Sequence, residues 1–233
     1  MPAGTPMGQS SSSDFEAPQS LRRRFELAQT ELSIAGREYR LLRPRNVDDL
    51  ISEEDFALDE RIPYWADVWA SAPILAERIA GIPGTGKRLL ELGCGIGLPA
   101  LAAAAAGFEV LATDYYAQAL EFTAANAERN GIAGVDTRLV DWRKLPGDLG
   151  TFDVVLAADV LYEQPQAALV AEVLSQCLAT DGWALVSDPG RCTAETFLAE
   201  CGARGLTAGC VVRVPTTDGG AQLTVSIYEV RRG

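Results

Sequence analysis

Residues 89–114 read LLELGCGIGLPALAAAAAGFEVLATD. An aliphatic run leads into glycines at 93, 95 and 97, an alanine-rich segment follows, and a second apolar run ends on Asp114. Glycine lacks a Cβ, so so bare a chain can turn sharply and let a ligand lie against its backbone. Strand, glycine turn, helix, strand is the order of a nucleotide-binding unit in a parallel α/β sheet.

Two nucleotide readings fail on spacing. A dinucleotide fingerprint, Gly-x-Gly-x-x-Gly, needs glycine where this chain has Leu98. GIPGTGKR, residues 81–88, matches the Gly-x4-Gly-Lys of a phosphate loop, but Arg88 replaces the Ser or Thr, and the segment precedes a strand instead of following one. Glu91, at the carboxyl end of the first strand, would oppose a pyrophosphate and suit a cation. S-adenosylmethionine carries an ammonium and a sulfonium. Asp114 lies 21 positions after Gly93, where an acid can accept from both hydroxyls of a ribose. Either feature taken singly is also compatible with a structural glycine turn beside a surface acid.

From Lys87 onward the rhythm repeats. RLLEL, EVLATD, VDTRLVDW, FDVVLAAD and WALVSD read as strands, with helices over PALAAAAAG, AQALEFTAANAERNG and QAALVAEVLSQCL. Buried runs alternating with helices imply a mostly parallel sheet covered on both faces. TAGCVVRVP and AQLTVSIYEV, separated by TTDGG, read as an antiparallel hairpin that completes the sheet. The expected fold is α/β: a Rossmann-like doubly wound sheet of seven strands, mostly parallel with an antiparallel C-terminal hairpin, plus an N-terminal β-hairpin extension at ELSIAGREYRLLRP, residues 31–44. Residues 1–20 are expected to be a disordered polar tail and 21–233 one domain, with 21–60 its hairpin and helix extension and 61–233 the cofactor-binding core. Trp65 and Trp69, four apart, are expected on one helix face, limited or kinked by Pro73.

Composition narrows the chemistry. The 233 residues include no histidine, which removes imidazole metal sites, Ser-His-Asp nucleophiles and histidine bases. A net charge of −12 disfavours nucleic acid as a partner. Five cysteines without a Cys-x-x-Cys pair fit buried thiols in a reducing cytoplasm, and no apolar run reaches the roughly 18 residues of a membrane span.

With those residues in view, ELGCGIG followed by TD resembles the first two motifs of the class I, seven-stranded S-adenosylmethionine-dependent methyltransferases, over roughly residues 60–190. PYWADVW, VDW and ADVLY resemble the branch with protein-lysine methyltransferases and nicotinamide-type N-methyltransferases, in which Asp-x-x-Tyr/Phe follows strand four; here it is Asp159 to Tyr162. The resemblance implies S-adenosylmethionine as cofactor and no metal. Gly93, Cys94, Gly95 and Gly97 would line the methionine portion, with Glu91 facing its amino group and Asp114 the ribose. Asp141 and Trp142, closing strand three, would hold the adenine, with Ala158 beside it and Trp69 covering the cofactor. Asp159 would orient the acceptor amine and Tyr162 pack against it. Trp142 as core filler, Trp69 as ordinary packing, and Asp159 as a helix cap with Tyr162 as a core plug are the competing readings. The partner is a protein or small-molecule methyl acceptor, a protein lysine being the leading expectation; a non-catalytic cofactor-binding module is the alternative class.

Overall fold

The computed structural model describes residues 17–46, 50 and 64–233. The expected tail up to residue 16 and the acidic stretch 47–63, except Leu50, lie outside the described residues. Gln19 and Ser20, placed in the tail by the sequence, already belong to helix α1 (Gln19–Arg24).

Strands β1 (Leu27–Ile34) and β2 (Arg37–Pro44) pair antiparallel around Ala35-Gly36 as a separate two-stranded sheet. The main sheet contains β3 (Arg88–Leu92), β4 (Glu109–Asp114), β5 (Val135–Leu139), β6 (Phe152–Ala158), β7 (Leu178–Asp188), β8 (Leu206–Asp218) and β9 (Ala221–Arg232). Their order is β5-β4-β3-β6-β7-β9-β8. The first five are parallel neighbours; β9 runs antiparallel to both β7 and β8. This is the expected seven-stranded sheet with its C-terminal hairpin.

Period-two alternation divides the core. Leu89, Val154, Leu156 and Leu185 face one layer, where helices α2 (Ser71–Ala80), α3 (Leu98–Ala105) and α4 (Ala117–Arg129) supply Leu75, Ile79, Leu101 and Phe122. Leu90, Leu92, Val155 and Ala157 face the other, against Val170 and Leu174 of α5 (Gln164–Cys177) and Phe197 of α6 (Thr193–Ala203). Because both faces are covered, the central strands are mostly apolar on both of their sides. Glu91 shares the parity of Leu89 and therefore points into the α3 layer.

From β3 the chain steps outward to β4 and β5, then returns to the far side of β3 as β6 and continues to β7. The switch point lies between β3 and β6, whose carboxyl ends open a crevice. The glycine turn leaves from one side of it and the Asp159 loop from the other.

One expectation fails here. Trp65 and Trp69 do not share a helix: Tyr64–Ala66 form a single 3-10 turn and α2 begins only at Ser71. A proline lacks the N–H that an interior helical position must donate, so Pro73 is accommodated in the first turn of α2 and the tryptophans fall before it. Trp65 is buried against Phe122, while Trp69 is about a third exposed at 36%.

Asn126, buried on α4, fastens the hairpin extension to the core. Its Oδ1 accepts the Leu42 N–H at 2.6 Å, and its Nδ2 donates to the Leu42 and Ile96 carbonyls at 3.0 and 2.9 Å. Asn126→Leu should therefore leave three backbone groups without their partner and lower unfolding stability by about 3 kcal/mol or more. Chemical denaturation checks the loss, and hydrogen exchange should show it concentrated in β2 and the glycine turn.

Candidate functional site

An open cleft occupies the switch point, where the carboxyl ends of the parallel strands meet. It brings together every residue picked out from the sequence except Gly97: Trp69, Glu91, Gly93, Cys94, Gly95, Asp114, Asp141, Trp142, Ala158, Asp159 and Tyr162 all line it. Gly97 is set back as the N-cap of α3, with φ +93°, and a Cβ there would come 2.8 Å from Thr123 Cγ2. Its bareness serves helix packing and not the cleft wall.

The turn after β3 is fitted on all sides. The Cys94 N–H donates to the Thr113 carbonyl at 2.9 Å and the Gly95 N–H to Asp114 Oδ2 at 3.0 Å. A Cβ on Gly95 would come 2.9 Å from the Trp65 carbonyl oxygen, and one on Gly93 would come 3.0 Å from Val160 Cγ1. Cys94 Sγ turns away to Thr123 Oγ1, 3.5 Å distant, and burial pushes this thiol well above its usual range.

Two acids sit buried beside the turn. Glu91 is 1% exposed; a backbone N–H, that of Ala100 in the first turn of α3, holds its carboxyl, and Oε2 is buried without a partner. Burial drives the Glu91 carboxyl well above the usual carboxylate range, the Ala100 N–H opposes this, and the charge of Asp114 adds to it. An unpartnered buried carboxylate oxygen calls for a donor, and a cationic donor answers the charge as well. Asp114 accepts the Gly95 and Tyr116 N–H groups, yet burial still raises its carboxyl to about 6. The Tyr115 N–H also acts on it; an ionised carboxylate has roughly four acceptor sites, so these three backbone donors leave capacity for a hydroxyl.

The far wall departs from expectation. β5 ends at Leu139, so Asp141 and Trp142 lie in the loop beyond it and do not close the strand. Strand pairing stops there because β4 ends on Asp114, the last residue in register with β5. The Asp141 carboxylate is gripped by Arg143, at 2.9–3.1 Å, and that guanidinium lies over the Tyr115 ring at 5.2 Å. Trp142 presents its ring edge toward Gly93, and its Nε1 is buried without a partner.

The mouth is aromatic. Tyr64 packs edge-on against Trp69, with centroids 5.6 Å apart, and against Tyr162, at 5.2 Å; Trp69 Nε1 donates to the Tyr64 carbonyl at 2.6 Å. Tyr162 is 37% exposed and is not a core plug. Asp159, in the left-handed region at φ +59°, caps neither α5 nor its own turn. Its Oδ2 accepts the Ser71 N–H at the start of α2, and its Oδ1 pairs with Arg191, both at 2.9 Å. Burial raises the Asp159 carboxyl and Arg191 lowers it again, leaving it above the ordinary value.

Sequence reasoning missed Tyr64, Asp67, Tyr115, Tyr116, Arg143 and Gln166, and it set Arg191 aside because a helix-entry turn explains SDPGR equally well. TDYY at 113–116 was the available signal for the two tyrosines, since residues directly after a strand-end acid enter the same crevice.

A family described as methyltransferase domain matches residues 83–211. The chain is 32% identical over 133 residues to the electron transfer flavoprotein beta subunit lysine methyltransferase of Danio rerio, covering 55% of this chain and 51% of that one. It is 33% identical over 147 residues to the ribosomal protein L11 methyltransferase of Ectopseudomonas mendocina, covering 61% and 45%. The chain thus spans about half the length of these curated relatives. Among solved structures, the T. thermophilus 16S rRNA N2 G1207 methyltransferase in complex with AdoMet and guanosine superposes with a TM-score of 0.63 at 15% identity, over 89% of this chain and 51% of that chain. This last likeness is one of fold.

A raised acid titrates at a cost to the folded state. Asp114 is neutral in both states below about pH 4, and its stability contribution is lost as pH rises through about 6. Ligand-free wild type should lose on the order of 3 kcal/mol from this residue across that window. Asp114→Asn should remove that component, so the difference in urea-unfolding stability between variant and wild type should change with pH between 4 and 7 by that amount.

Proposed function

This chain belongs to the methyltransferase domain family of S-adenosylmethionine-dependent enzymes, and on that premise we propose that it is an N-methyltransferase acting on a lysine side chain of a protein. The observation that carries the acceptor reading is a buried carboxylate, Asp159, standing within an aromatic mouth made by Tyr64, Trp69 and Tyr162. Aromatic walls suit a four-carbon stem, and a carboxylate suits the amine at its end.

The cleft residues fit the cofactor. Glu91 Oε2 would receive the amino group, the backbone of residues 93–95 the methionine portion, Asp114 the ribose hydroxyls, and Trp142 the adenine ring. When bound, S-adenosylmethionine supplies a methyl group on a positively charged sulfur. The chain's own work is then alignment and the exclusion of water, because displacement at carbon needs no covalent intermediate on the protein. That suits a site without histidine, cysteine thiolate or serine nucleophile.

A lysine amine has an unperturbed pKa of about 10.4 and must lose a proton before it can attack. The aromatic mouth favours the neutral form by desolvation. Asp159 keeps acceptor capacity beyond Ser71 and Arg191, so it can hold the amine by a remaining N–H, and the proton passes to it or to water. The net charge of −12 suits a basic protein target. The named activity of the zebrafish relative belongs to that protein; it supports lysine as the acceptor class here and does not specify the target.

Methyl-labelled S-adenosylmethionine incubated with the protein and with separated proteome and metabolite fractions should place label in protein, on lysine by mass spectrometry. Label confined to metabolites would sink the protein-lysine reading. Asp159→Asn should lower turnover by about 100-fold or more while binding of S-adenosylhomocysteine, read by titration calorimetry, changes little. Full turnover in this variant would remove Asp159 from the acceptor site.

A further inference from the structure

SDPGR, residues 187–191, builds a second charged cluster behind the acceptor side of the cleft. Arg191 Nη1 stands 2.9 Å from Asp159 Oδ1 and 3.3 Å from Asp188 Oδ2. Asp188 is fully buried at the end of β7, and its Oδ1 accepts the Gly190 and Arg191 N–H groups at 2.8 and 2.6 Å. Those two bonds turn the chain back so that the Arg191 side chain lies between both acids. Asp159 is fixed from the other directions too. Its N–H donates to the Ser187 carbonyl at 3.0 Å, and its Oδ2 takes the Ser71 N–H.

Two carboxylates this close disfavour each other's ionisation unless a cation separates them. One guanidinium between two carboxylates leaves a single net negative charge, which one incoming ammonium would neutralise. A neutral alcohol would leave it unbalanced. We infer that Arg191 is a positioning residue of the acceptor subsite: it keeps Asp159 ionised and aimed into the cleft, so that the cluster selects an acceptor arriving as a cation. The inference rests on the lysine reading for the identity of the acceptor, but not for the charge state of Asp159.

The surroundings are consistent with this role. Tyr64, Asp67 and Tyr162 line the same cleft as Asp159, and Asp67 lies 3.8 Å from Arg43. On the sheet side, Asp188 and Arg213 of β8 act in opposite senses on the Tyr228 hydroxyl of β9, whose upward shift is due mainly to burial. From α2, Ser71 reaches Asp159. Glu91, Asp114, Asp141 and Arg143 line the cofactor side of the same cleft. Arg191 is the charge that lowers the Asp159 carboxyl against the effect of burial.

The test uses the full chain with S-adenosylhomocysteine added and aspartate labelled with 13C at the carboxyl carbon, the Asp159 resonance being assigned from its loss in Asp159→Asn. In Arg191→Gln the Asp159 midpoint should rise by about one pH unit or more, a tenfold change in proton affinity. Arg191→Lys keeps the charge and should hold the midpoint within about half a unit of wild type. In wild type at pH 7, n-butylamine, present as its ammonium, should shift the Asp159 resonance, and n-butanol at equal concentration should not.

An unchanged midpoint in Arg191→Gln overturns the inference, as does a midpoint that rises equally in the lysine variant, which would assign the effect to packing. Equal response to amine and alcohol, or none to the amine, overturns the cation selection, and this measurement needs no variant should the glutamine protein fail to fold. If wild type proves to methylate an uncharged acceptor, the lysine reading falls while the Asp159 midpoint still decides the role of Arg191.

Discussion

The turn from Gly93 to Gly97 is the constraint on which the site depends. Within five residues the chain must leave β3, hand a backbone N–H to Asp114, pass beneath the Trp65 carbonyl and enter α3 against Thr123. Each contact forbids a side chain at a particular point: at Gly95 because backbone lies on the far side, and at Gly97 because α4 does. The glycine spacing is therefore set by three neighbouring elements as much as by any ligand. A ligand gains from it because the same close approach leaves bare backbone facing the crevice.

The acids around that turn are placed where folding alone would not put them. Glu91 and Asp114 are buried, both are raised by loss of water, and Glu91 carries an oxygen with no partner. A leucine at 91 would satisfy the α3 layer without that penalty. Retaining a costly carboxylate beside a glycine turn is the pattern of a site organised for a cationic ligand rather than of a core optimised for stability. By contrast, the Asp159 and Asp188 carboxylates share one cation within the chain, Arg191, whereas Glu91 is paired with none among the described residues.

What the sequence disclosed follows the range of the interactions. β3 and β4 are legible because strands covered on both faces read as short, mostly apolar runs, and the C-terminal hairpin because two strand-like runs flank the TTDGG turn, signals contained within ten or so residues. The fate of Trp65 and Trp69 was not, since a four-residue spacing looks helical until Pro73 fixes where the helix can begin. Asn126 gave no local sign of its role, because its partners Leu42 and Ile96 are 84 and 30 positions away. Asp159 could be chosen from its motif, but its anchors, Ser71 and Arg191, are 88 and 32 positions distant. Arg143 beside Asp141 was in plain view. Nothing in the pattern said that the arginine would close on its neighbour and lie over Tyr115 instead of extending into water.

The segment from Tyr64 to Ser71 connects the two halves of the cleft. The Trp65 carbonyl presses on Gly95 in the glycine turn, and the Ser71 N–H holds Asp159 on the other side. Between them, Tyr64 and Trp69 form part of the mouth, locked together by the Trp69 N–H on the Tyr64 carbonyl. Displacement at a methyl carbon is sensitive to the distance and angle between two separately bound molecules. On the proposed reading, a single short segment that touches both sides of the cleft through backbone atoms would set that relation with few degrees of freedom. Backbone contacts do this without depending on side-chain rotamers, so the alignment is carried by the path of the chain itself, while the side chains of Glu91, Asp114 and Asp159 are left to match charge.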